Sequence, residues 1–217
     1  MFAIRLFTRT RPPSADRTDR IADRSREATA SRRASLGIAA GGSPARRKSG
    51  SPSTGIGNIY RVPALRDAFP NARFVALVRD GRAVALSLSR VDWWPTSTVV
   101  GYGGTPDRWA AEGGDPWELC ARNWVDELTA MEQGLEGVAD AQLLRLRYED
   151  LIAEPLAQLD AIATFAGLSP RASWHGAVGR VRFPDRNDAW RERLDADALA
   201  TIEAVQTPTL ERYGYGG

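Results

Sequence analysis

The stretch Phe69–Arg90, "FPNARFVALVRDGRAVALSLSR", decides how the rest of the sequence is read. Phe74 to Val78 is an unbroken apolar run of strand length, bounded by polar residues. Such a run fits a strand covered on both faces, as in a parallel sheet. "RDG" turns the chain, and "RAVALSLSR" resumes as a helix with Ala83, Val84, Leu86 and Leu88 available for packing. In open α/β sheets, ligands collect at the carboxyl ends of strands, where the next helix offers free N–H groups and the positive end of its dipole. Arg79 stands at such an end, and its planar fork suits bidentate contact with a phosphate. Ser87, two turns into the helix, offers a hydroxyl. The competing reading pairs Arg79 with a carboxylate at the edge of the core and leaves Ser87 facing solvent.

Working outward, "NIYRVPALRDAFP" predicts a short helix interrupted by Pro63 and ended before Pro70. Downstream of Arg90 lies a Trp/Gly/Pro-rich stretch without a clean period. "DPWELCARNWVDELTAMEQGL" then predicts a long helix: Asp115 as N-cap, Pro116 at the first position and Glu118 completing a capping box. Trp117, Cys120, Trp124, Leu128, Met131 and Leu135 mark its apolar face. "AQLLRLRY" predicts a second strand, with Leu144, Leu146 and Tyr148 on one side. "EPLAQLDAIATFAGL" predicts a helix from Pro155 with Gly167 beyond its end. A last helix begins after Asp195 and stops before Pro208. Strands alternating with helices predict an α/β domain built on a parallel sheet.

Charge divides the chain. Residues 1–56 carry 12 Arg or Lys against 4 Asp or Glu, a net of +8, whereas residues 57–217 carry a net of −6. The basic balance therefore belongs to the first quarter, which is rich in Arg, Ser, Ala and Pro and reads as a largely disordered segment. Arginine outnumbers lysine 28 to 1, a bias that fits a GC-rich genome better than nucleic-acid binding, and no nucleic-acid partner is expected. A single cysteine, Cys120, excludes an internal disulfide, and with one histidine no Cys- or His-based metal site is expected. No apolar run approaches the roughly 20 residues of a membrane span. The expectation is a soluble cytoplasmic protein that binds no metal.

Phe69–Arg90 closely resembles the 3′-phosphate-binding segment of sulfotransferases that use 3′-phosphoadenosine 5′-phosphosulfate (PAPS). "LRLRYEDLIAEP" followed by "FAGL", and the C-terminal "NDAWRERLDADALATIEAVQTPTLERYGY", are similar to further runs of that family. The resemblance covers about residues 57–217. It implies a three-layer α/β fold, like that of P-loop NTPases, with a parallel sheet flanked by helices. It implies that Arg79 and Ser87 hold the 3′-phosphate of PAPS, that Tyr148 lies near the adenine, and that the acceptor is a small molecule or carbohydrate bearing a hydroxyl or amine.

Members of that family open with a strand and a loop resembling "PKSGTTWL" that cradles the 5′-phosphosulfate. In "ARRKSGSPSTGIG", Ala45 to Gly57, the residues Lys48, Ser49, Gly50 and Ser51 match its centre. Pro52 and Gly55 then oppose the helix that should follow. A segment found in bacterial members just before the "FP" helix fits better, with Arg47 in place of a Glu. On that match Lys48 is not the donor-loop lysine, the fold is N-terminally incomplete, and the chain alone has little activity. No catalytic base is legible. His175, Glu149 and Asp150 read as surface or bracing residues. Trp93, Trp94, Tyr102 and Trp109 read either as core or as a stacking surface for an acceptor. The alternative function is a non-catalytic nucleotide-binding or interaction module with a basic arm.

Overall fold

The computed structural model describes residues 3–7, 53–170 and 172–216. Four strands form one sheet in the order β2-β1-β3-β4: β1 is Ala3–Phe7, β2 Ser53–Gly55, β3 Arg73–Val78 and β4 Leu143–Arg147. β3 and β4 run parallel, in register from Phe74 opposite Leu143 to Val78 opposite Arg147. This is the strand pair expected from the two apolar runs. β1 adds to the free edge of β3 antiparallel, and β2 pairs antiparallel with β1. These two short strands correct the reading of 1–56 as disordered for the residues they contain. Five and three residues inside a basic, proline-rich stretch are too few to carry a periodic signal.

Helices cover both faces of β3. On one side Phe74, Ala76 and Val78 pack with Trp124, Leu128 and Met131 of the long helix α4 (Pro116–Leu135). Val62 and Leu65 of α1 (Val62–Ala68) and Leu210 of α9 (Ala196–Arg212) close the same cluster. On the other side Val75, Leu77 and Leu146 meet Leu159 and Ile162 of α6 (Pro155–Phe165) around a cavity. Between them run α2 (Gly81–Leu88), α3 (Pro106–Ala111), α5 (Tyr148–Ala153), α7 (Ala172–Val178) and α8 (Ala189–Arg193).

Several helix ends differ from the sequence expectation. Pro63 sits in the first turn of α1, after a 3-10 segment Ile56–Arg61, and so starts the helix instead of interrupting it. A first-turn residue has no intrahelical use for its N–H, so proline costs nothing there. Asp115 caps α4 by accepting from the Trp117 and Glu118 N–H groups at 2.7 and 3.2 Å, but Glu118 itself is held by Arg122 one turn on. Tyr148 begins α5 instead of ending β4, with Glu149 and Asp150 in the first turn where they complement the dipole. α9 runs through Pro208 to Arg212. The backbone bond lost at proline is offset by burial of Thr209 and Leu210 beyond it.

Gly81 opens α2 where three elements crowd. A methyl added there would lie 2.7 Å from the Gln206 amide carbon of α9 and 2.7 Å from the Trp124 indole of α4. Gly81→Ala is therefore expected to destabilise by about 1–3 kcal/mol, the cost of overpacking a filled core. A urea or thermal melt measures it, and an unchanged midpoint would show that α9 shifts freely.

Candidate functional site

The turn after β3 is held from four directions. The Asp80 carboxylate caps α2 by accepting from the Arg82 N–H at 2.8 Å, and the Trp124 indole N–H donates to the Arg79 carbonyl at 3.1 Å. The Asp80 N–H donates to Glu149 Oε1 at 3.0 Å, and Glu149 Oε2 accepts from the Tyr215 hydroxyl at 2.7 Å. Glu149 thus braces the junction of β3, α5 and the C-terminus. Arg82 is a strut as well: it is 6 % exposed, and its Nη2 donates to Asp80 at 2.9 Å and to the Tyr215 carbonyl at 2.9 Å. Its guanidinium also lies 4.2 Å from the Trp190 ring centre.

Arg79 stands at the strand end with its fork only partly used. Its guanidinium lies 4.6 Å over the Tyr148 ring, and Nη2 donates to the Arg186 carbonyl at 3.2 Å. Its Nε is buried and has no hydrogen-bond partner among the described residues, and the neighbouring Asn187 Oδ1 is in the same position. Buried polar groups are ordinarily satisfied, so an orphaned guanidinium nitrogen at a strand's carboxyl end could take a polar ligand. The structure thus brings Arg79 and Tyr148 together and adds Arg186 and Asn187, which were not read from the sequence. "PDRN" looks like a plain turn, with the Asp185 side chain accepting from the Asn187 N–H at 2.9 Å, and only the fold carries it across 107 positions to Arg79.

Ser87 lies on α2, two turns beyond Arg79. It lines a cavity of about 370 Å³ with Trp93, Trp94, Asn123 and Glu127, a lining that includes neither Arg79 nor Tyr148. Lys48 lies outside the described residues. Of the four aromatics read as a possible stacking surface, Trp93 and Trp94 border this cavity. Tyr102 and Trp109 meet edge to face with centres 5.1 Å apart and line a separate, smaller one. His175 is on the surface, 2.9 Å from Asp160. Among the described residues no group of three or more His, Cys, Asp or Glu side chains could hold a metal, and no helix is long and apolar enough to cross a membrane.

Glu127 is 8 % exposed, and burial pushes its carboxyl above the ordinary 4.5, against a hydrogen bond from Asn123. Nearby, burial and the charges of Glu127 and Asp126 push the Tyr60 hydroxyl up to about 12. A carboxyl whose pKa is raised by folding holds its proton better in the folded state. Its contribution to stability is therefore intact below about 4.5 and is lost as pH rises through the folded value. Glu127→Gln is expected to gain stability over the natural chain as pH goes from 4 to 7, read from melts across that range. A gap that stays constant with pH would contradict this.

A family model described as "Sulfotransferase family" matches residues 7–172. The chain is 29% identical over 171 residues to protein-tyrosine sulfotransferase A of Caenorhabditis elegans, which is 70% of this chain and 41% of that protein. It is 26% identical over 165 residues to omega-hydroxy-beta-dihydromenaquinone-9 sulfotransferase Stf3 of Mycobacterium bovis, 72% of this chain and 39% of that protein. The chain thus spans about two fifths of the length of these two relatives. The sulfotransferase domain from the curacin biosynthetic pathway aligns in structure with a TM-score of 0.47 and 15% identity, over 70% of this chain and 59% of that one. Because the family model covers most of its length, the chain belongs to the sulfotransferase family.

Proposed function

We propose that the chain transfers a sulfuryl group from PAPS to an acceptor hydroxyl or amine, with the donor's 3′-phosphate held at the carboxyl end of β3. The observation that carries this is the Arg79 Nε, without a hydrogen-bond partner among the described residues and two residues before α2, with Tyr148 stacked beneath the same guanidinium. A guanidinium already braced by a ring and a carbonyl meets a phosphate with little further ordering, which favours binding. In the transfer, the acceptor oxygen or nitrogen bonds to sulfur and gives up its proton to water. The bond from sulfur to the donor's bridging phosphate oxygen breaks, releasing adenosine 3′,5′-bisphosphate. What this chain's described residues do is anchor and orient the donor: Arg79 by charge, Tyr148 by ring contact, and the α2 amino end by its dipole. Ser87 and Lys48 remain candidate donor ligands through the family resemblance, and the cytoplasmic setting is the reading of composition.

Calorimetric titration of the whole chain with 3′-phosphoadenosine 5′-phosphate, against adenosine 5′-phosphate, tests this. Binding that requires the 3′-phosphate is the expected result. Equal affinity for both nucleotides, or for neither, would overturn it.

A further inference from the structure

The cavity beside Ser87 is lined mainly by apolar and aromatic side chains, with the hydroxyl-bearing Tyr60, Ser97 and Thr98 among them. Val84 and Leu88 of α2, with Trp93 and Trp94 after it, form apolar walls, and Trp93 stays 47 % exposed. Its most deeply buried polar side chains are a pair one turn apart on α4, Asn123 and Glu127, at 7 % and 8 % exposure. Glu127 is the only charged side chain of the described lining. We propose that this cavity is the acceptor site, and that it takes an uncharged, largely apolar alcohol whose hydroxyl is held by Glu127.

The word "acceptor" rests on the sulfotransferase reading. The selectivity follows from the walls alone. A volume of about 370 Å³ falls within the range of small-molecule sites, roughly 300–1,000 Å³. A carboxylated, phosphorylated or sulfated acceptor would bring a second negative charge toward a buried carboxyl, with no cation in the described lining to offset it. A sugar would leave hydroxyls against the indole and aliphatic carbon of Val84, Leu88, Trp93 and Trp94, each an unmade hydrogen bond, even with some met by Tyr60, Ser97, Thr98 or Asn123. A flat ring with one hydroxyl stacks on Trp93 and pairs once, at Glu127. The cavity and the Arg79 cluster share α2, whose eight residues span about 12 Å, so donor and acceptor would lie along one helix.

The test is calorimetry of the whole chain with 4-phenylphenol, without any donor, against biphenyl-4-carboxylate and glucose. Saturable binding of 4-phenylphenol is expected, with both comparators at least about tenfold weaker. Glu127→Leu should weaken 4-phenylphenol about tenfold, the effect of one hydrogen bond. Thr98 lines the same cavity from an exposed position, so Thr98→Trp should block it without disturbing the fold. No binding of 4-phenylphenol, comparable binding of either comparator, or indifference to Thr98→Trp would overturn the proposal. Titrating 3′-phosphoadenosine 5′-phosphate into the same samples separates the two readings. If it still binds while 4-phenylphenol does not, only the acceptor assignment falls. If 4-phenylphenol binds and the nucleotide does not, the donor site falls instead.

Discussion

Arg79→Ala is expected to weaken binding of 3′-phosphoadenosine 5′-phosphate at least about a hundredfold while leaving the weak binding of adenosine 5′-phosphate nearly unchanged. A charge-assisted hydrogen bond contributes about 1.5–3 kcal/mol, and a fork meeting a phosphate makes two. The Arg79 carbonyl, not its side chain, receives the Trp124 indole N–H, so truncating the side chain leaves the turn anchored. Arg79→Lys separates charge from geometry: it retains a cation over Tyr148 but loses the planar fork, and an intermediate loss of about tenfold is expected. Calorimetry of the three proteins reads the order directly. Affinity for the 3′-phosphorylated nucleotide within threefold of the natural chain in Arg79→Ala would remove this arginine from the donor site.

Asp80→Ala should be the costliest single change for the fold, at about 3–5 kcal/mol. The Asp80 and Arg82 side chains are only 11% and 7% exposed, and removing the carboxylate leaves the guanidinium buried with one partly exposed acidic neighbour, Glu203 at 3.2 Å. Breaking one half of a buried pair costs far more than replacing both halves with apolar groups, because the surviving charge stays desolvated. The α2 cap is lost at the same time, a further term of about 1 kcal/mol. Adding Arg82→Met to Asp80→Ala should therefore recover much of the stability. Urea unfolding of the two single variants and the double closes the cycle. A loss under about 1 kcal/mol in Asp80→Ala would show that Glu203 and the Tyr215 carbonyl suffice for Arg82.

How much of the site could be read from residues alone differs from one residue to the next. Arg79 was legible because three local signals coincide at it: an apolar run, a turn and a resumed helix. Tyr148 entered through its motif, and its stacking under Arg79 is a contact that no local pattern encodes. Arg186 and Asn187 left no signal beyond a turn-forming composition. Asn123 and Glu127 did leave one, since they flank Trp124 and Leu128 within the buried stripe of α4. A polar pair inside an apolar face shows that something polar is buried, but not whether it meets core or cavity.

From the sequence alone came the two strands β3 and β4, the helices with strong caps at Asp115 and Asp195, and the strand-end position of Arg79. All of these rest on hydrogen bonds and periodicities a few residues in reach, so their information lies within the segment itself. The folded chain alone set the antiparallel edge of β1, the run of α9 through Pro208, the contact of Arg79 with Tyr148 and Arg186, and the place of Glu127 in the lining of the second cavity. Each of these depends on which surfaces meet across many tens of residues. There, burial of one side chain outweighs the local preference of another, and that balance exists only once the elements are packed.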